Sequence, residues 1–276
     1  MLFFALCLAT AAVAHPGQHD QLLQLDRHLQ QQPTDQSLYI QRGMLYSESG
    51  QYPEAMADFR QAQALGPAEL VAFELGVLHY RMGEYKPASS YLKAYLQRFP
   101  NFPPAYEYLA RIARESGNID EAIANLEIYF RLQESPNPGL YLSAAKMLED
   151  NGRYDQALHF LDMGMATLGV LPQLQRYAIG IELEQQRPAQ AVVRLETLRQ
   201  ILRDSPDWKL EMASLLVLLD RLDDARSLAL QAQVQLSELR PTPARIALQA
   251  QAAQLISSLK PQPPIAPTNP PVEASL

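Results

Sequence analysis

The sequence predicts an all-α fold in which pairs of antiparallel helices stack into a solenoid. The first observation is a repeat, because residues of the same type recur 33 positions apart along the chain. The residues are Gly43, Gly50, Tyr52, Ala55 and Pro67, and their counterparts are Gly76, Gly83, Tyr85, Ala88 and Pro100. The second observation is that each unit consists of two helix-length segments around a central glycine. A period of this length is typical of solenoids, whose units bury their apolar faces only against their neighbours.

Composition and charge are consistent with a folded chain and exclude one class of partner. The chain has 276 residues, of which 47% are hydrophobic, so it is too long and too apolar to be disordered. Its formal net charge is −7 and its pI is about 5.3. Nucleic-acid binding requires clustered Lys and Arg on one face, so we expect no nucleic-acid partner.

The first fourteen residues, MLFFALCLATAAVA, predict a signal peptide. They form an apolar run without a charged side chain, and the run ends in the small-x-small pattern Ala12-Val13-Ala14. The alternatives are a buried N-terminal helix or a membrane anchor, but the run is shorter than the ~20 residues that a spanning helix needs. We therefore expect cleavage before His15 and an exported chain, periplasmic or secreted, with no stable membrane span. Cys7 would be removed with the signal peptide, which leaves the mature chain without a thiol.

A leader and a lead helix are expected over residues 15–34. Residues 15–20 are interpreted as a flexible leader with Asp20 as the N-cap of a helix, and Pro33 is the stop signal. The following segment, 36–68, is predicted to form two helices around Gly50. Glycine suits the left-handed conformation that often ends a helix, because a Cβ is unfavourable there.

The full residue pattern of this segment is Tyr39, Gly43, Tyr46, Gly50, Tyr52, Ala55, Phe59, Ala62 and Pro67. It resembles the tetratricopeptide repeat, which has these residue types at these offsets. Two later segments continue the pattern through Gly117, Ala122, Gly152 and Ala157. The resemblance implies a right-handed superhelical solenoid of about six units over residues 35–239. The units lie near 36–68, 69–102, 103–137, 138–171, 172–205 and 206–239.

The last two units match the pattern less well. Gln186 and Asp220 stand where glycine is expected, so the turn must use another residue in the left-handed region or a different geometry. Trp208 falls one position from the signature aromatic, which leaves the register of the sixth unit open. Residues 240–260 predict a capping helix, and the proline-rich residues 261–276 predict a disordered tail. One side of the capping helix is expected to be apolar, with Ile246, Leu248, Ala252, Leu255, Ile256 and Leu259.

The sequence contains no recognisable catalytic motif. There is no G-x-S-x-G, no H-E-x-x-H and no G-x-x-x-x-G-K segment, so we expect neither enzymatic activity nor a cofactor. One metal site is conceivable. If cleavage exposes His15, its α-amine and imidazole could bind copper with His19 as a further nitrogen ligand. The alternative, a flexible leader without metal, is favoured because chain termini are usually mobile.

The resemblance also implies that the first helix of each unit lines a concave ligand-binding groove. The groove candidates are Phe73, Tyr80, Arg81, Tyr108, Arg111, Arg114, Lys146, Arg176 and Tyr177, and Ser47 and Val77 are placed on the same face. Aromatic and Arg side chains dominate binding energies, and the cations could oppose an acidic segment. Alternatively, this is a solvated face neutralised by Glu107, Glu115, Glu149 and Asp150. The family's clamp for chaperone C-termini is excluded, because Ile40, Met44 and Glu74 replace its Lys and Asn residues.

These features together predict a non-catalytic scaffold or assembly factor of the cell envelope that binds a protein or peptide in the groove. The alternative function is a copper-binding accessory protein that uses His15 and His19.

Overall fold

A computed structural model describes residues 16–259 of the chain. The predicted signal peptide, His15 and the predicted proline-rich tail lie outside these residues. Over the described part, the chain forms fifteen helices and no strand, which confirms the predicted all-α class. None of these helices is both long and apolar enough to span a bilayer. The helices fall into two compact units that divide after Pro136.

Unit 1 contains a lead helix and three helix pairs. Its helices are α1 (Pro16–Gln31), α2 (Gln36–Glu48), α3 (Tyr52–Leu65), α4 (Glu69–Arg81), α5 (Tyr85–Arg98), α6 (Pro103–Glu115) and α7 (Ile119–Leu132). The pairs are α2 with α3, α4 with α5, and α6 with α7, while α1 packs against α2. The prediction that Asp20 caps the lead helix is wrong, because α1 already begins at Pro16. Proline is common at this first position because its fixed φ fits the helix and an N–H there would have no acceptor within the helix.

Unit 2 contains three further pairs and a terminal helix. Its helices are α8 (Pro138–Glu149), α9 (Tyr154–Leu168), α10 (Pro172–Glu184), α11 (Pro188–Thr197), α12 (Arg199–Leu202), α13 (Pro206–Val217), α14 (Leu222–Glu238) and α15 (Pro243–Ser258). The pairs are α8 with α9, α10 with α11, and α13 with α14. Helix α15 packs against α13 and α14, but Ile246, predicted on its buried side, is 56% exposed.

The turn inside each pair has one geometry in all six cases. Four turns place a glycine in the left-handed region, with φ between 70° and 76° at Gly50, Gly83, Gly117 and Gly152. The residue after each glycine donates its N–H to the carbonyl five residues earlier, at 2.8 to 2.9 Å. The fifth and sixth turns keep this bond and place Gln186 (φ 56°) and Asp220 (φ 57°) in the same region. Of the two geometries that the sequence allowed, the chain therefore uses a left-handed residue other than glycine, which costs roughly 1–2 kcal/mol.

Small residues lie where the two helices of a pair cross. Each second helix has a completely buried alanine near its start, namely Ala55, Ala88, Ala122, Ala157, Ala191 and Ala225. On the first helices of the first two pairs, Gly43 faces the ring of Phe59 and Gly76 faces Leu92. A Cβ at Gly43 would lie 2.6 Å from Cε1 of Phe59, so the large buried side chain occupies the space that glycine leaves free.

Trp208 explains the irregular fifth pair. Its side chain is buried, and its Nε1–H donates to the carbonyl of Leu195 at 2.9 Å. The same carbonyl also accepts the N–H of Leu198 at 3.0 Å. The carbonyl of Leu195 therefore accepts one bond from a three-residue turn and one from the indole. This occurs where α11 ends at Thr197 and the short α12 follows. The displaced tryptophan belongs to a local break in the second helix of this pair.

An arginine holds the lead helix to the first pair. Arg42 on α2 donates to both carboxylate oxygens of Asp58 on α3, at 2.6 and 2.8 Å. Its remaining nitrogen donates to Asp26 on α1 at 2.6 Å. Asp58 is only 5% exposed, so Arg42 neutralises a buried carboxylate and at the same time links α1, α2 and α3.

Candidate protein-binding surface

In unit 1 the first helices of the three pairs lie side by side. Arg81 of α4 donates to Oγ of Ser47 on α2 at 3.0 Å. Tyr80 of α4 meets Tyr108 of α6 edge to face, with 5.4 Å between ring centroids. We call the surface formed by α2, α4 and α6 the first-helix face. Two residues predicted to be presented there are buried instead. They are Ser47, which accepts the bond from Arg81, and Val77, which belongs to the core.

Aromatic side chains form the centre of the first-helix face. Phe73 contacts Phe102, Tyr95 and Tyr108, with ring centroids 4.9, 5.5 and 6.0 Å away. These rings belong to the apolar cluster between the second and third pairs, so Phe73 is half-buried and contributes mainly to packing. Tyr80 and Tyr108 are also partly exposed. Since both lie on first helices, they offer an apolar surface and a hydroxyl to a partner on this face.

The arginines of the face are partnered by its own carboxylates. Arg111 lies over the ring of Tyr108, 5.6 Å from its centroid, and donates to Glu107 one turn away. Arg114 contacts Glu115 at 2.8 Å. This arrangement corresponds to the neutralised face that the sequence left open. A guanidinium carries five N–H donors, and the Arg111 side chain is 43% exposed, so it keeps donors available for an acidic group.

Glu74 is a titratable group of this face whose shifted pKa could not be predicted from the sequence. It lies on α4, close enough to Arg81 of the same helix and Glu48 of α2 to be affected by their charges. Burial raises the pKa of Glu74 to about 7, while Arg81 opposes the rise and Glu48 adds to it. A burial-shifted carboxyl of this kind has no signature in the sequence, where Glu74 stood out only as a residue that excludes the chaperone clamp.

In unit 2 the predicted groove residues contact neighbouring first helices. Arg176 on α10 bonds Asp207 at 2.9 Å and approaches Glu211 at 3.2 Å, both on α13. Tyr177 donates its hydroxyl to Glu149 on α8. Burial, together with this carboxylate, raises the pKa of Tyr177 well above its usual value. These contacts join α8, α10 and α13, and the structure places only Lys146 of the predicted set at an exposed position without an ion pair.

The residues of the hypothetical copper site are only partly described. His19 lies exposed on α1, and His15 is outside the described residues. Across residues 16–259 there is no group of three or more His, Cys, Asp or Glu side chains positioned to hold a metal ion. The copper hypothesis depends on the amine and imidazole of His15 and stays a prediction.

Comparison with known proteins identifies the repeat. A model of the tetratricopeptide repeat matches residues 40–103 and 108–163. The structure is similar to the C-terminal part of a tetratricopeptide repeat-containing protein from Cytophaga hutchinsonii, with a TM-score of 0.61 and 13% identity over 84% of this chain and 94% of that one. It is also similar to a chain of the Cut9–Hcn1 hetero-tetramer of the APC/C, with a TM-score of 0.50 and 14% identity over 86% of this chain and 40% of that one.

At these identities the two structures establish the fold alone. The paired helices, their common turn and their small crossing residues define a helical-repeat protein. Residues 40–103 and 108–163 match the tetratricopeptide-repeat family, and the rest of the described chain has the same paired-helix fold.

Proposed function

We propose that this protein is a non-catalytic scaffold that binds a segment of a partner protein on the first-helix face of unit 1. The observation that carries the proposal is the grouping of Tyr80, Tyr108 and Arg111 on two adjacent first helices. Tyr and Arg are the residue types that most often dominate interface energies, and here they lie on a rigid helical platform. An apolar side chain of the partner would pack on the two rings, and a neighbouring acidic group would accept from Arg111.

A pull-down from envelope extract tests this proposal. The bait is the chain without residues 1–14, compared with Tyr80→Ala, Arg111→Glu and the control Arg60→Glu. Arg60 is exposed on the second helix α3, so its charge reversal matches that of Arg111 away from the face. We expect Tyr80→Ala and Arg111→Glu to recover less of the partner and the control to recover as much as the unchanged protein. In a follow-up affinity measurement, the first two variants should bind the partner about tenfold more weakly or worse. Equal recovery by all four proteins would exclude the first-helix face.

We also propose that the protein is exported to the periplasm or secreted and acts in the assembly of an envelope complex. The support is the apolar run over residues 1–14 with its Ala12-Val13-Ala14 ending. The measurement is N-terminal sequencing of the protein from fractionated cells. A mature N-terminus at His15 in the envelope fraction is the expected result, and uncleaved protein confined to the cytoplasm would contradict it.

A further inference from the structure

A second candidate site lies between two second helices of unit 2. The second helices α9 and α11 form the walls of a groove of about 600 Å³, and α10 forms its floor. Its lining includes Asp162 from α9, Gln175 and Glu182 from α10, and Val193 and Arg194 from α11. No residue of the first-helix face takes part, so this groove is a separate feature.

Arg194 is fully engaged within the groove. Its Nε donates to Oε1 of Glu182 at 2.9 Å, and its two terminal nitrogens donate to the carboxylate of Asp162 at 2.6 and 3.0 Å. The side chain is 14% exposed and joins α9, α10 and α11. The guanidinium that borders the groove is therefore already paired on two sides, and it is not positioned to attract an anion.

Two acceptor atoms on the floor lack a donor among the described residues. Gln175 donates through Nε2 to the carbonyl of Arg194 and to Oγ1 of Thr197, both at 2.8 Å, but its Oε1 receives no hydrogen bond. Oε2 of Glu182 also receives none, and the guanidinium of Arg187 lies 3.9 Å from it, beyond hydrogen-bond distance. Gln175 and Glu182 are each only 4% exposed. A buried acceptor without a donor costs about 1–3 kcal/mol, so both atoms favour a ligand that brings N–H groups.

The local charge favours a cation in particular. Three carboxylates, those of Asp155, Asp162 and Glu182, surround the two guanidiniums of Arg187 and Arg194. One additional positive charge would balance the cluster. A phosphate or carboxylate ligand would instead add to the excess of negative charge.

The shape of the groove favours an extended segment with a long side chain. Gln175 and Glu182 are seven residues apart on α10, which is about 10 Å along a helix. An extended chain covers that distance in about three residues. The rim is apolar, with Val170 and Val193 exposed by 41% and 67%. A lysine has four methylenes that could pack on this rim, and its ammonium has three N–H donors.

We propose that this groove binds an extended, lysine-containing segment of a partner protein. The lysine ammonium donates to Oε2 of Glu182, a backbone N–H of the segment donates to Oε1 of Gln175, and the lysine stem lies between Val170 and Val193. Both acceptor atoms lie below the groove surface, so the rim side chains must part as the segment enters. The site is independent of the first-helix face and takes the opposite charge.

An NMR titration with two peptides tests the proposal. The probes are acetyl-Ala-Ala-Ala-Lys-amide and its norleucine counterpart, which keeps the stem length but lacks the ammonium. We expect saturable shifts of the methyl groups of Met165 and Val193 with the lysine peptide and about tenfold weaker binding of the norleucine peptide. Equal binding of the two peptides, or no saturable shift up to about 10 mM, would overturn the proposal.

Variants locate the binding in this groove. Val193→Lys places a competing ammonium at the rim and should abolish binding of the lysine peptide, whereas Val234→Lys, at a position 59% exposed on α14, should not. Glu182→Gln should weaken binding about tenfold; if that variant fails to fold, the rim variants still decide. Tyr80→Ala on the first-helix face should leave this binding unchanged. Loss of binding in Tyr80→Ala, or retention in Val193→Lys, would refute the proposed location.

Discussion

Replacing Gly43 with alanine tests the packing rule on which the repeats depend. The added Cβ would lie 2.6, 2.8 and 3.2 Å from three atoms of the Phe59 ring. Carbon atoms prefer separations of about 3.5–4.0 Å, so the ring would have to move by roughly 1 Å. Phe59 is completely buried, and its neighbours resist that movement. Overpacking of this kind costs about 1–3 kcal/mol, and the better helix propensity of alanine returns about 0.5–1 kcal/mol.

The matched control is Gly180→Ala on α10. Gly180 is also within a helix, but its new Cβ would meet no atom within 4 Å, so only the propensity gain of about 0.5–1 kcal/mol remains. We therefore expect Gly43→Ala to lose about 1–2 kcal/mol and the two variants to differ by about 2 kcal/mol. Urea unfolding followed by circular dichroism measures the difference, and hydrogen exchange of α2 and α3 locates it, since repeat arrays can open in parts. Equal shifts of both variants in the same direction would refute the reasoning.

Three further predictions concern a second crossing residue, the buried ion pair and the shifted carboxyl. Ala88→Leu should lower the free energy of unfolding by ~1–3 kcal/mol, because Ala88 is completely buried at a helix crossing; an unchanged urea midpoint would contradict its assignment. Arg42→Ala should cost about 3 kcal/mol because it leaves Asp58 buried without a cation, whereas Arg111→Ala should cost less than about 1 kcal/mol because its pair is exposed; equal losses in urea titrations would show that burial does not matter here. The pKa of Glu74 is raised on folding, so the folded state holds the proton more tightly, and stability should fall by up to about 3 kcal/mol as pH rises from about 4.5 to above 7. Glu74→Gln should flatten that decline, and an identical pH profile for the two proteins would disprove the assignment.

The sequence predicted the helix pairs well because their determinants are local. A glycine between two apolar-periodic segments predicts a left-handed turn from steric principles alone, and the structure has φ 74° at Gly50. The turns at Gln186 and Asp220 could not be decided in the same way. Glutamine does not favour the left-handed region and aspartate visits it only occasionally, so the residue type alone does not predict this turn. The break after Thr197 depends on the indole of Trp208, eleven residues later, and was likewise invisible in the local pattern.

The candidate surface was less predictable because it depends on which side chains meet between repeats. The Glu107–Arg111 pair follows from a spacing of four on one helix. The contacts of Arg176 with Asp207 and of Tyr177 with Glu149 join residues 31 and 28 positions apart. Periodicity identified the face on which these residues lie. It did not predict their side-chain rotamers, which make Arg176 and Tyr177 contact neighbouring helices and leave less of them available to a ligand. The groove of unit 2 was missed for a related reason, since its acceptors lie on a first helix beneath two second helices.

The arginine contacts of the two units limit how freely the repeats could be rearranged. In unit 1 the lead helix supplies Asp26, the first helix Arg42 and the second helix Asp58. In unit 2 the corresponding order on α9, α10 and α11 is Asp162, Glu182 and Arg194, so the cation has moved from the first helix to the second. Exchanging second helices between these places would oppose Arg194 to Arg42, or Asp58 to Glu182. The preceding helix supplies an aspartate in both places, so repeats that look interchangeable by their glycines and alanines differ only in which helix of the pair carries the arginine. Shuffling would therefore succeed only when the first and second helices of a pair are moved together.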